Sequence, residues 1–202
     1  MEKIDLKKVH KELYSVRKNL IVFIDVPQLN YLCITGKGNP ETSPEYQQKI
    51  EALFGLAYPL KFMIKAQGNY DFTVMPLEGF WWAEDMTAFP ENRRDEWIWK
   101  LLIALPEEIS EEDVSCALKQ VKQKKENPFL DHIKLETIEE GKCAQVMHIG
   151  PFEEEPATIE KLHTHIKESG YELRGKHHEI YLSDIRRTAP QNWKTIIRQG
   201  VK

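Results

Sequence analysis

The chain has 202 residues, 41% apolar and 30% charged, enough to bury a core as one domain or as two small packed halves. Its 28 basic and 32 acidic side chains leave a net charge of -4, and the basic residues are scattered, which argues against a role built on neutralising nucleic-acid phosphates. Cys33, Cys116 and Cys143 are odd in number, lack metal-ligand spacing and sit in apolar contexts, so they are expected to be reduced and buried. The N-terminal stretch has no apolar run of signal-peptide length and nothing approaches a membrane span, so a soluble, cytoplasmic protein is expected.

Residues 1–19 are charged and loosely patterned and read as an N-terminal arm or short helix laid over the body. FIDVPQLNYLCITGKGNP, 23–40, reads as a strand around Asn30 to Thr35 closed by a glycine turn at Gly36 and Gly38. Ser43 as cap and Pro44 in the first turn open a helix through YQQKIEALFGLAYPLKFMIKA, which Pro59 is expected to kink or to end in its first part. YDFTVMP, 70–76, alternates as a strand, and PLEGFWW reads as a sharp aromatic turn. In EWIWKLLIALP, 96–106, alternating tryptophan and isoleucine with a terminal proline favour a strand. Ser110 with three acids behind it caps a second helix to about Lys125, and DHIKLETI follows as a strand.

A second cycle then begins. EGKCAQVMHIGPF, 140–152, is a strand with a Gly-Pro turn; EEEPATIEKLHTHIKESG, 153–170, is a helix ended by glycine; HHEIYLSD and NWKTIIRQ are strands. The repeated order strand, helix, strand, strand predicts an α+β fold in one domain spanning 20–202, with pseudo-repeats at about 20–105 and 140–200. The expected architecture is an antiparallel sheet with helices on one side and a ligand groove between the halves.

Strand alternation in HHEIYLSDIRR points His177, Glu179 and Tyr181 to one face and His178, Ile180 and Leu182 to the other. One face is therefore expected to be greasy, and the other to carry a carboxylate beside a phenol. A charge inside an apolar, aromatic strand suits either a wet face or a task. The densest aromatic group is Trp81 and Trp82, backed by Phe80, Phe89, Trp97 and Trp99; it suits the wall of a flat ligand's pocket or the closing of a core. Acids flank it at Glu78, Glu84 and Asp85, and others stand at Glu153, Glu154 and Glu155 beside the second turn. Held in an aromatic pocket, such a carboxylate is harder to ionise and becomes a base or a cation's partner. His148 precedes the Ile-Gly-Pro turn, placed either to orient a group near Glu155 and Glu179 or to serve the fold alone.

Metal and cofactor are not expected. His163 and His165 face apart on a helix, His177 and His178 face apart on a strand, and HExxH and cysteine pairs are missing. There is no GxSxG around Ser183 or elsewhere, and GKGNP lacks the lysine and hydroxyl of a phosphate loop and reads as a turn.

PLEGFWW, VMHIGPFEEEP, HHEIYLSDIRR and the closing TIIR, in that order over roughly residues 20–200, resemble the GyrI-like small-molecule-binding family, in particular its stand-alone members. The resemblance extends to the effector-binding domains of multidrug-responsive regulators and implies two pseudo-repeated units with a ligand groove between them. It implies that Glu179 sits in an aromatic pocket and meets lipophilic cationic ligands. For the stand-alone branch it implies hydrolysis of cyclopropanoid alkylating compounds without metal or cofactor. On this reading a flat electrophile stacks among Trp81, Trp82, Trp99 and Tyr70, with Phe80, His148 and Glu155 also in the ligand site. Glu179 takes a proton from the attacking water, and Tyr181 or Tyr70 donates to the oxygen that gains charge. The alternatives are non-enzymatic sequestration of lipophilic molecules and modulation of a protein partner such as a topoisomerase. No DNA-binding helix pair precedes the domain in residues 1–19, so direct nucleic-acid contact is not expected, and no feature of the sequence fixes an oligomeric state.

Overall fold

The computed structural model describes residues 3–68, 70–89, 91–124 and 126–202. Its elements in chain order are β1 (Lys3–Ile4), α1 (Leu6–Val9), α2 (Lys11–Tyr14), β2 (Ile21–Lys37), α3 (Pro44–Ala66), β3 (Asp71–Phe72), β4 (Leu77–Trp82), β5 (Ile98–Leu105), α4 (Glu111–Lys122), β6 (Lys134–Ile149), α5 (Glu155–Glu168), β7 (Leu173–Tyr181) and β8 (Lys194–Val201), with short 3-10 turns between them. The six longer strands form one closed sheet in the order β2-β5-β4-β7-β8-β6. The pairs β2–β5, β6–β8 and β7–β8 are antiparallel, whereas the two-residue β1 and β3 pair in parallel. The series β2, α3, β4, β5 recurs as β6, α5, β7, β8, the duplicated α+β unit expected from the sequence.

Several local expectations are corrected. β2 begins nine residues before Asn30, at Ile21, and takes in the apolar, β-branched run IVFIDV, whose residue types favour a strand. PLEGFWW is not a turn but strand β4; Gly79 lies inside it, between a buried Glu78 and a buried Phe80. YDFTVMP supplies only the two residues of β3. KLETI and EGKCAQVMHI are one continuous 16-residue strand that passes through Gly141 at φ 62, a value glycine adopts without steric cost. Pro59 does not end α3, which runs 23 residues through it. The missing N–H removes one helical bond, to the carbonyl of Gly55, and the buried Leu53, Leu56 and Leu60 hold the helix against its neighbours regardless.

Pro44 opens α3 as expected, but the Ser43 side chain makes no cap bond. At α4 the full capping box forms: the Ser110 hydroxyl accepts from Asp113 N at 3.2 Å and the Asp113 carboxylate accepts from Ser110 N at 3.0 Å. The expected helix end at about Lys125 lies outside the described residues. Cys33 and Cys143 are buried, but Cys116 lies on the exposed face of α4. Met1 and Glu2 of the N-terminal arm lie outside the described residues; the rest of it is tied down, with Leu13 and Tyr14 of α2 buried.

The chain divides into two compact units. The first comprises residues up to Val9, Leu29–Met75 and Trp81–Ile138; the second comprises His10–Gln28, Pro76–Phe80 and Glu139–Lys202. In the first, α3 packs on β5, and Trp99 is fully buried with its indole N–H donating to the Gly38 carbonyl at 3.1 Å. Its ring lies flat over Gly36, where an added Cβ would meet ring carbon Cη2 at 2.0 Å. In the second, Leu162 and Ile166, one helical turn apart on α5, press on Ala144 and Val146 of β6 and on Ile197 and Val201 of β8.

Gly36→Ala forces a fully buried indole to move, and overpacking of this kind costs about 1–3 kcal/mol. Urea unfolding should show that loss as a lower midpoint with unchanged slope.

Candidate functional site

On β7 the alternation places His177, Glu179 and Tyr181 on one face. The spacing of two brings both neighbours onto the carboxylate: the Tyr181 hydroxyl donates to Glu179 Oε2 at 2.6 Å, and His177 Nε2 donates to Oε1 at 2.9 Å. Glu179 retains 13% side-chain exposure, so it is held and oriented without being sealed off. Phe152 sets its ring edge-on to Tyr181 at 5.7 Å and packs at 4.9 Å on Trp193, whose indole N–H donates to Thr188 O at 2.8 Å. The carboxylate is therefore bonded to the first of three aromatic side chains, Tyr181, Phe152 and Trp193, that pack in series within its own unit.

A second carboxyl faces the first. Glu155 is the first residue of α5 and is buried; its Oε1 has no hydrogen-bond partner among the described residues. Burial, followed by the negative charge of Glu179 and then by Glu153, pushes its pKa up to about 9, against a hydrogen bond from Thr195 that favours the anion. Thr195 is opposite Tyr181 in the β7–β8 register. Glu155 thus favours its neutral form at neutral pH. A helix N-terminus ordinarily favours the anion, but desolvation outweighs it here.

The turn before α5 fixes where Glu155 stands. His148 Nε2 donates to Pro151 O at 3.1 Å, so Nδ1 is the acceptor for the Thr158 hydroxyl at 2.9 Å. Gly150 has φ 146, and a Cβ there would crowd the Glu154 carboxylate at 3.0 Å. His148 therefore ties the turn to α5 through both ring nitrogens.

The other face of β7 is not greasy throughout. Ile180 is fully buried, but so is His178, which bonds Glu78 at 3.0 Å through Nε2 and Glu140 at 3.0 Å through Nδ1. Arg198 of β8 donates to Glu140 at 3.1 Å, to Gln145 at 3.0 Å and to Leu13 O at 2.7 Å, and the Tyr14 hydroxyl donates to Glu78 at 3.1 Å. Burial alone would lower the His178 pKa, yet Glu140 and Glu78 outweigh it and raise it, and a carboxylate on each ring nitrogen favours the cation. Burial likewise pushes Glu140 upward, but His178 and Arg198 overcome it and hold the pKa at about 2. Two anions and two cations cancel. No local pattern in the sequence shows this pairing, because Glu78, Glu140 and Arg198 come from three other strands.

The remaining candidate residues are distributed as follows. Phe80 belongs to the second unit and its ring lies tilted against His178 at 4.3 Å, on the network side of β7. Trp81, Trp82, Trp99 and Tyr70 belong to the first unit. Trp81 is buried against Trp97 and Tyr46, Trp82 is half-buried, and Trp99 is fully buried with Tyr46 edge-on at 4.9 Å. The Tyr70 hydroxyl is buried with no partner among the described residues, and burial, followed by Glu108 and Asp113, pushes its pKa up to about 12. Sequence reading placed His177 on the face of Glu179 without giving it a role, and it missed Thr195, Phe152 and Trp193; Thr195 was legible from strand alternation once HHEIYL and WKTIIR are paired. Among the described residues no group of three or more His, Cys, Asp or Glu could hold a metal ion, and no helix is long and apolar enough to cross a membrane.

Comparison with known proteins gives a consistent picture. The model of the GyrI-like small molecule binding domain matches residues 21–201. An uncharacterized conserved protein from Listeria innocua superposes with TM-score 0.91 at 38% identity, over 98% of this chain and 100% of that one. A hydrolase from Listeria innocua superposes with TM-score 0.86 at 36% identity, over 98% and 100% of the two chains. A further hydrolase from the same organism gives 0.87 at 37% identity, over 100% of both. No curated protein matches the chain.

The buried quartet makes two expectations. His178→Ala leaves carboxylates buried without their cation and should cost about 3–5 kcal/mol in chemical denaturation. Glu140 has a folded pKa of about 2 and an ordinary value of 4.5, so its contribution is present above 4.5 and lost as pH falls toward 2. The stability gap between wild type and Glu140→Gln should therefore widen as pH rises through that window and then level off.

Proposed function

The chain belongs to the GyrI-like small-molecule-binding family, and on that premise we propose that it binds bulky lipophilic aromatic molecules and hydrolyses cyclopropanoid alkylating agents by glutamate-assisted attack of water. The observation that carries this reading is the pair of unlike carboxyls: Glu179, anchored by bonds of 2.6 and 2.9 Å, beside Glu155, whose pKa is pushed up to about 9. Two such groups with opposed environments form an acid and a base at one pH. The likeness to hydrolases over the whole chain supports the same class of reaction.

In this mechanism Glu179 accepts a proton from water as its oxygen bonds to a cyclopropane carbon. The strained carbon–carbon bond breaks, its electron pair aromatises the dienone, and negative charge collects on the dienone oxygen. Glu155 donates its proton to that oxygen, and transfer from Glu179 back to Glu155 restores both groups. Tyr181 and His177 have their protons directed at Glu179, so they hold the base rather than serve the oxygen. Phe152, Tyr181 and Trp193 supply the aromatic surface for the ring system. Because strain and conjugation already activate the substrate, general-base help of about 10²- to 10⁴-fold is sufficient.

Mass spectrometry of a cyclopropane-dienone alkylator with substoichiometric protein tests the proposal. Wild type should release many equivalents of the water-opened product; Glu179→Gln should lose about 10²- to 10⁴-fold in turnover while still binding the compound. One-to-one protection without product would instead favour a non-enzymatic sink for lipophilic molecules. Turnover should also fall as pH rises through about 9, where Glu155 loses its proton, and Glu155→Gln should abolish that alkaline limb.

A further inference from the structure

Helix α3 uses only one side in its own unit. Leu53, Leu56 and Leu60 bury one face, while Glu51, Gly55, Tyr58, Phe62 and Lys65 follow one another on the other at spacings of four, three, four and three. That is the heptad spacing with which two helices pack side by side. Tyr58 and Phe62 keep 49% and 59% of their surface exposed, and Phe54 extends the apolar strip with its ring 6.2 Å from that of Tyr58.

Two features indicate what covers the strip. Gly55 stands in the middle of a 23-residue helix, where glycine is disfavoured, and an added Cβ there would meet nothing within 4 Å. Nothing among the described residues requires that gap. The charges are also reciprocal, with Glu51 seven residues before Tyr58 and Lys65 seven residues after it. A two-fold axis at Tyr58 lays the helix antiparallel on its copy, so Glu51 faces Lys65 at both ends and each Phe62 ring falls beside the other copy's Gly55 gap. A parallel pairing would set like charges together. Glu51 now accepts from Gln47 at 3.1 Å and Lys65 reaches Asp71 at 3.3 Å; Asp71 keeps Lys61 at 2.7 Å if Lys65 turns outward.

We propose that α3 is a self-association surface: two copies of this chain pack α3 against α3 in antiparallel fashion, with Phe62 seated at Gly55 and Glu51 paired with Lys65 across a two-fold axis at Tyr58. The self-complementary patch and closed symmetry are those of an isologous dimer.

Sedimentation equilibrium of the full chain at micromolar concentration tests this. Wild type should dimerise, and Phe62→Glu should raise the Kd by about 30-fold or more. Gly55→Leu, which fills the gap while favouring the helix, should also weaken the dimer. Glu51→Lys and Lys65→Glu should each weaken it by about fivefold, and the double exchange should restore wild-type affinity. A wild type that stays monomeric, a dimer indifferent to both Phe62→Glu and Gly55→Leu, or a double exchange that fails to restore association would each overturn the proposal.

Discussion

The structure depends on burying four charges that cancel. Glu78, His178, Glu140 and Arg198 come from β4, β7, β6 and β8, and every charged bond among them is between 3.0 and 3.1 Å. An apolar cluster of the same volume could stabilise the core as well, but it would not fix register as strictly. Slipping β7 by one residue would put Glu179 in the place of His178, between Glu78 and Glu140, where three anions would share one arginine. The pairing of His178 with Arg198 therefore fixes the pairing of Glu179 with Ile197 and of Tyr181 with Thr195. The chemistry on one face of the strand is set by the electrostatics on the other.

On that second face the same physical quantity, desolvation, has the opposite use. His178 and its partners are deeply buried and fully charged because each charge has an opposite. Glu155 is buried and its pKa is pushed up to about 9, by burial first and then by Glu179, which is part exposed and bonded to Tyr181 and His177. The division of roles follows from what each carboxyl can touch. His148 contributes at one remove, through the turn that delivers Glu155 to the start of α5.

Much of the architecture was legible in the sequence, because the two cycles of strand, helix, strand, strand are separated by strong local signals: Ser110 with Asp113, Gly150 with Pro151, and Gly170. What misled were segments whose state is decided by distant partners. PLEGFWW carries a proline and a glycine that read as a turn, yet it is a strand, paired in the sheet between β5 and β7. Glu179 and Tyr181 were legible from alternation alone. Glu155 was singled out as a ligand-site residue but not as the acid that keeps its proton, since burial decides that. Trp99 was legible as a large aromatic but not as a ring lying over Gly36, a contact visible only once β2 and β5 are paired. The exposed strip on α3 went unnoticed for a related reason: Pro59 marks a break in the sequence, and the heptad spacing shows only when the helix runs through it.

The central claim is that Glu155, beside Glu179, holds a proton at neutral pH. Carbon-13 NMR of protein labelled at the glutamate side-chain carboxyls, titrated from acid to alkaline pH, observes that proton directly. The account predicts one glutamate resonance titrating near 9, missing in Glu155→Gln and moved to lower pH in Glu179→Gln. If every glutamate titrates in the ordinary carboxylate range, the acid and base assigned to this site are wrong.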